Sequence, residues 1–315
     1  MKLEDRWLRE TYVDLLIENA EKDPRIVIVE ADLMKAGGTL RFRDAFPERS
    51  FDCGVQEANM IGVAAGMSAM GKIPFTHTFT AFATRRCCDQ VTLSVAYAGL
   101  NVKMMGSDPG VTAEFNGGTH MSMEDVSIMR NIPDMIIYEP VDSVQLRAVF
   151  PQILEHYGPV YIRLLRRNAM QIFEEGETFT LGKGKKILDG SDVSIFATGI
   201  MVEEALKAAE ILEAEGVHAE VINIHTIKPL DEDMVLESVG KTGCAVVAEN
   251  HSIIGGLGSA VAEVLAENDP VPMQRVGVTD HFGEVGTTDF LKKKYHLMAE
   301  DIVEAAKSAV SRKNR

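Results

Sequence analysis

The sequence predicts an α/β protein of two three-layer domains, each a parallel sheet with helices on both faces. Short runs of β-branched and apolar residues alternate with stretches of helical length along most of the chain. That is the pattern of a parallel sheet covered by its own crossover helices. The alternation breaks once, between about residues 169 and 190, where FEEGETFTLGKGKKILDG is polar, Gly-rich and mixed in charge, as a connector or ribbon would be. The length of 315 residues is also more than one hydrophobic core usually serves. Domains are therefore expected at residues 1–185 and 186–315.

In the first unit the expected strands are IVIVE (residues 26–30), IPFTHT (73–78), NVKMM (101–105), MIIY (135–138) and VYIRL (160–164). Each is too short for a stable helix and is bounded by turn or charged residues. Helical patterns lie between them at residues 10–21, 56–70, 81–98, 123–130 and 143–155. The second unit resumes with VSIFAT (193–198), the helical EEALKAAEILEAEG, HAEVINI (218–224), CAVVAE (244–249), a helix after Gly258, and MQRVGV (273–278). The two units show no convincing sequence repeat.

Composition narrows the function. A formal net charge of -15 argues against nucleic acid and anionic membrane as partners, so an anionic substrate needs a local cluster of positive groups. The four cysteines, Cys53, Cys87, Cys88 and Cys244, form no CxxC pair, which suits a reducing cytoplasm and carries no zinc signal. The eight histidines lack metal-ligand spacing. No apolar run reaches the roughly 18 residues of a membrane span, and a charged N-terminal stretch is unlike a signal peptide.

Several motifs bear on chemistry. GVQEANMIGVAAGMSAMG, residues 54–71, is a helix of Gly, Ala, Met and Ile that opens with an acid, Glu57. TFTAFATRRCCDQ sets Phe79 and Phe82 at helical spacing just past a strand; core packing and an aromatic floor for a flat ring are both open. Arg85 and Arg86 beside them read as solvated. EFNGGTHMSMED puts His120 after a Gly-Gly turn, where open α/β sheets bind ligands, or else as a solvated loop histidine. LLRRN ends a strand with Arg166 and Arg167, either surface ion pairs or a fork for carboxylate or phosphate. GGLGSA, residues 255–260, reads as a strand-to-helix turn, with a phosphate-binding turn as the alternative. LDGSD is turn chemistry. A GDG followed by a paired Asn, which would hold a metal-bound diphosphate, is absent, as are a P-loop and a nucleophile elbow.

In order along the chain, CGVQEANMIGVAAGMSAMG, PFTHTFTAFATRRCCDQV, GGTHMSMED, LLRRN and INIHTIKPLD resemble the pyrimidine-binding and C-terminal domains of transketolase. The resemblance runs from about Arg9 to the C-terminus. It implies a thiamine diphosphate enzyme of carbohydrate metabolism, such as the pentose phosphate reactions, that transfers a two-carbon ketol unit from a ketose to an aldose. It also implies half of a split enzyme. The diphosphate and its metal, Mg or Ca, would sit on a separate N-terminal-type subunit, the simplest complete assembly being a heterotetramer.

By position the resemblance assigns roles. Glu57 hydrogen-bonds ring nitrogen N1′ of the aminopyrimidine, favouring the 4′-imino tautomer that removes the C2 proton. Burial among Ala, Gly and Met opposes charge on such an acid while the helix N-terminus favours it, and burial is expected to win once the cofactor covers the site. Phe79 and Phe82 match the aromatic residues that pack on the pyrimidine. Arg85 stands where some members have Tyr, and Asp32 matches a carboxylate near cofactor and interface. His120 matches a residue that hydrogen-bonds substrate oxygens and moves protons. Arg9 and Arg166 match two arginines that clamp the distal phosphate of the sugar. Three positions depart: the family's phosphate-binding Ser falls on Ala36, a phosphate-binding His on Asp108, and a hydroxyl-reading Asp on Asn116. An acid near a dianion is unfavourable, so an unphosphorylated or otherwise modified ketose enters consideration. The β subunit of a 2-oxoacid dehydrogenase E1 component, half of a 1-deoxyxylulose 5-phosphate synthase, and a regulatory subunit that kept the fold are the alternatives.

Overall fold

The computed structural model describes residues 1–313. The N-terminal half contributes β1 (Lys2–Trp7), β2 (Ile26–Glu30), β3 (Ser50–Asp52), β4 (Ile73–Phe79), β5 (Lys103–Ser107), β6 (Ile136–Tyr138), β7 (Val160–Leu164) and β8 (Asn168–Gln171). The C-terminal half contributes β9 (Lys185–Leu188), β10 (Val193–Ala197), β11 (Ala219–Asn223), β12 (Thr226–Lys228), β13 (Ala245–Ser252) and β14 (Met273–Val278). The first sheet runs β12-β6-β7-β5-β4-β2-β3 and the second β14-β13-β10-β11-β9.

Side chains of the central strands alternate between two apolar layers, as the two-residue repeat of a strand requires. Val160, Ile162 and Leu164 enter one layer and Tyr161 the other; Val193, Ile195 and Ala197 enter the first and Phe196 the second. Helices Leu8–Ala20 and Ser143–Glu155 cover one face of the first sheet, and Glu57–Ala69 covers the other. Both layers continue into the second sheet, which is covered by Met201–Ala214 and Ala299–Lys313 on one side and by Glu232–Thr242 and Leu257–Asn268 on the other. This is the three-layer α/β arrangement expected. No described helix is long and apolar enough to cross a membrane.

Two expectations need correction, and one element was not expected. The sheets are not wholly parallel: β12 pairs antiparallel with β6, and β9 antiparallel with β11, each an edge strand where reversal is tolerated. The edge of the first sheet is thus supplied by the second half of the chain. The single helix expected at residues 81–98 is broken into a turn at Thr80–Ala83, a short piece at Cys88–Gln90 and a π-helix at Val91–Tyr97. The Thr84 hydroxyl bonds the Thr80 carbonyl at 2.7 Å, a back-bond that bends helices. Finally, a ribbon of β1 against β8 lies outside both sheets.

Candidate active site

The carboxyl ends of β2, β4, β5 and β7 converge, as ligand sites of parallel α/β sheets do. Phe79 is the last residue of β4, and Phe82 follows on the next turn. Their rings meet edge to face at 6.0 Å. His120 packs edge-on against both, at 5.7 Å from Phe79 and 5.0 Å from Phe82, and its Nδ1 lies 2.9 Å from the Thr119 hydroxyl. The loop that carries His120 is held against the second half of the chain. A side chain at Gly118 would lie 2.2 Å from the Gly283 carbonyl, so only glycine permits that approach.

Glu57 is the first residue of its helix and is only 3% exposed. Its Oε1 accepts a hydrogen bond from Arg86 Nη1 at 2.7 Å, and the Arg86 guanidinium lies over the Phe82 ring at 3.9 Å. Sequence reasoning missed this partner: 29 positions separate the pair, and an arginine in a surface helix ordinarily points to water. The same break in the 81–98 helix turns Arg85 outward, where it donates to Glu124 at 2.8 Å and to the Thr119 carbonyl at 3.2 Å. Arg85 therefore ties down the histidine loop. Phe82, Arg85, Arg86, Gly118, Thr119 and Phe282 line an open cavity of about 590 Å³. An aromatic face with a buried carboxylate at its margin fits a flat heterocycle that presents an N–H donor.

A second cluster adjoins Phe79. The register Ser107↔Leu164 between β5 and β7 sets Asp108 and Arg166 side by side, with Arg166 Nε 3.0 Å from Asp108 Oδ2 and its guanidinium 5.5 Å from the Phe79 ring. The β1–β8 ribbon, which ends in a Leu8 to Arg167 backbone bond, delivers Arg9 to the same place. Arg9 stacks on Trp7 at 4.2 Å and donates to the Ala36 carbonyl. Behind them, His77 is buried against Glu30 at 3.1 Å. A side chain on Gly37 would lie 2.1 Å from the His77 ring. Sequence reasoning missed this histidine too, although two polar residues in otherwise apolar central strands were the available signal.

Asp108 is fully buried, and burial pushes its pKa up to about 6 against the pull of Arg166, His77, Arg167 and Arg9. Between pH 3.8 and about 6 the folded chain binds the extra proton, so stability falls as pH rises through that window. Above it, the charged acid remains a burden on the fold. Asp108→Asn is expected to raise stability at pH 7 by on the order of 3 kcal/mol and to leave it unchanged near pH ~3.5. Denaturant titrations at the two pH values check this; equal effects at both would refute it.

The remaining expected residues are less closely gathered. Asp32 is exposed just past β2, its backbone N–H donating to Asp52 at 2.9 Å. Asn116 is exposed, with its amide on the Ala113 carbonyl at 2.8 Å. In GGLGSA the backbone N–H groups of Leu257 and Gly258 are taken by the Glu249 carboxylate at 2.7 and 2.8 Å. The chain's own anion fills that helix start, which is the plain-turn reading.

Comparison with known proteins gives the family. The family model described as "Transketolase, pyrimidine binding domain" matches residues 7–171, and "Transketolase, C-terminal domain" matches residues 182–302. The chain belongs to the transketolase family. It is 68% identical, over all of its length and 98% of the other protein, to the "6-deoxy-6-sulfo-D-fructose transketolase subunit SqwH" of Clostridium sp. (strain MSTE9). It is 43% identical to the "Putative transketolase C-terminal section" of Methanocaldococcus jannaschii, over 94% of each chain. Among solved structures it superposes on "Split gene transketolase, inactive beta4 tetramer" with a TM-score of 0.91 and 44% identity, covering 98% of this chain and 99% of that one. The transketolase fold thus accounts for both halves and for the topology above, and membership carries an expectation of thiamine diphosphate dependence.

Proposed function

We propose that this chain is the pyrimidine-side subunit of a split transketolase that moves a two-carbon ketol unit from a ketose to an aldose. The observation that carries the reading is Glu57, buried at the head of its helix beside the wall of Phe79, Phe82 and His120. Thiamine diphosphate, when bound, supplies the carbon nucleophile. Glu57 would hydrogen-bond ring nitrogen N1′ of its pyrimidine, an acceptor in the amino tautomer and an N–H donor in the imino tautomer, so the buried acid has a partner in either protonation state. Phe82 supplies the stacking surface, Phe79 backs it, and Arg85 fixes the loop that aims His120 at the sugar's oxygens. Arg9 and Arg166 anchor the distal anionic group.

A complementary subunit would bring the diphosphate and metal site. The missing GDG and paired Asn in this chain support that division, as does the structural relative, a β4 tetramer named as inactive. The relative that is 68% identical is named for 6-deoxy-6-sulfo-D-fructose, which supports a C6-sulfonated ketose as donor in place of a pentose phosphate. The test is co-expression with the complementary subunit, followed by thiamine diphosphate, Mg²⁺ and a panel of ketoses with an aldose acceptor. A new ketose formed from the sulfonated donor supports the reading. Pyruvate-dependent decarboxylation, or no reaction with any ketose, contradicts it.

Arg86 sits where the pyrimidine would lie, paired with Glu57 and stacked on Phe82. Displacing a half-exposed ion pair costs only about 0.2–1 kcal/mol. Arg86→Ala is therefore expected to tighten thiamine diphosphate binding by roughly 2- to 5-fold in the assembled complex. Calorimetric titration of the cofactor measures this, and weaker binding would make Arg86 a ligand instead of a placeholder.

A further inference from the structure

We propose that Asp108 is the residue that selects the charge of the substrate's distal group, matching the site to a monoanion and turning away a dianion. This rests on the reading of Arg9 and Arg166 as the anchor for that group.

The argument begins with what surrounds the acid. Asp108 follows β5 directly, its backbone N–H bonded to the Leu164 carbonyl at 3.1 Å. Its φ is +56°, a conformation that disfavours most side chains but is tolerated by Asp and Asn. Its side chain is shut off from solvent, yet neither carboxylate oxygen accepts a hydrogen bond. An acid kept for structural reasons would have its oxygens satisfied, as Asp142 does through backbone N–H groups at residues 145, 172 and 173. Asp108 instead lies 3.0 Å from Arg166 Nε in an ion pair without hydrogen-bond geometry. Arg9 Nε and Arg166 Nε are likewise buried donors without an acceptor. An unsatisfied acid and two unsatisfied arginine donors thus gather in one cluster beside Phe79.

The charge count then decides what the cluster suits. Arg167 is paired with Glu114 at 2.6 Å, and Glu10, the other acid near Arg9, with Arg6 at 3.8 Å; His77 and Glu30 face each other at 3.1 Å behind the cluster. That leaves two guanidinium charges and one carboxylate, a net charge of one. A sulfonate carries a single negative charge at all physiological pH values. A phosphate monoester carries about -1.5 to -2 near pH 7. The first neutralises the cluster; the second leaves an excess negative charge next to a buried carboxylate, a like-charge juxtaposition that is strongly unfavourable out of water. Both groups present three terminal oxygens; the phosphate ester adds a bridging oxygen, and changing only the charge at residue 108 separates the charge effect from that difference in length.

The experiment compares the sulfonated ketose with its phosphate counterpart, fructose 6-phosphate, as donors for the reconstituted complex, using wild type and Asp108→Asn. Asparagine keeps the shape and accepts the positive φ. The expected result is a shift of the kcat/KM ratio toward the phosphate by roughly 10- to 100-fold, carried by KM. A ratio that stays put, or two donors that move together, overturns the proposal. A second arm needs no variant. Methanesulfonate and methylphosphonate, which share one shape, are titrated into the wild-type complex by calorimetry at a mildly alkaline pH where the phosphonate is a dianion, and the sulfonate is expected to bind more tightly; the reverse order overturns the proposal. If the wild type transfers a ketol unit from neither donor, the reading of the site falls, while the calorimetric order still decides the charge selection.

Discussion

Glu57→Gln, reconstituted with the complementary subunit, thiamine diphosphate and Mg²⁺, is expected to lose ketol transfer by roughly 10²- to 10⁴-fold. Glutamine occupies the same volume at the head of the helix Glu57–Ala69 and can still sit beside Phe82, but it cannot take part in a proton relay. The fold should survive. Glu57 has one side-chain partner, Arg86, whose guanidinium is about half exposed and keeps its place over the Phe82 ring; losing such a pair is a small effect. Circular dichroism and the denaturation midpoint should match those of the parent. A variant with undiminished turnover would remove Glu57 from the chemistry. A variant that fails to fold would make it a structural acid, and Glu57→Ala distinguishes that case, because a packing defect worsens with truncation and a lost proton relay does not.

Arg163→Met should cause a large loss of stability. Arg163 is 1% exposed at its side chain and binds two buried carboxylates, Asp125 at 2.7 Å and Glu139 at 2.6 Å, and the Asn250 carbonyl at 2.6 Å. Tyr161 also donates to Asp125, and Thr198 to Glu139. Burial opposes the arginine's charge, but the two acids outweigh it and hold its pKa above the ordinary value. Removing the cation strands two negative charges away from water, a loss of about 3–5 kcal/mol. Glu139 and Asp125 belong to the first half, Thr198 and Asn250 to the second, and Asp125 opens the helix that follows the His120 loop. The damage should therefore reach both the junction of the two halves and the site. Urea denaturation measures it. Adding Asp125→Asn and Glu139→Gln to the variant should restore part of the stability, since the stranded charges then vanish. An unchanged midpoint for Arg163→Met would show that the network contributes nothing.

Much of this architecture was legible because central strands of parallel sheets are apolar on both sides. IVIVE and VYIRL read as strands at once, and they are buried at every position. The ribbon strand KLEDRW was not legible: it is polar and mostly exposed, and only pairing with residues 168–171 defines it. The three-residue β12 was equally hidden, because it is an edge strand lent by one half of the chain to the other. At the site, Glu57, Phe79, Phe82 and His120 could be named from local motifs. Arg86 could not, since its meaning comes from a break in a helix that periodicity reads as continuous. The pairing of Arg9, Arg166 and Asp108 depends on strand register and on the β1–β8 ribbon, neither of which a linear pattern encodes. Asp32 and Asn116 match the family by position, and their exposure in this structure is not something a linear pattern encodes.

The most direct measurement of the central claim is the exchange of the C2 proton of thiamine diphosphate for deuterium, followed by quenched-flow NMR in the reconstituted complex. The account predicts exchange much faster than for free cofactor with the parent chain, and exchange near the free rate with Glu57→Gln. Equal, fast exchange in the two complexes would contradict it, because the proton would then leave without help from this chain's buried acid.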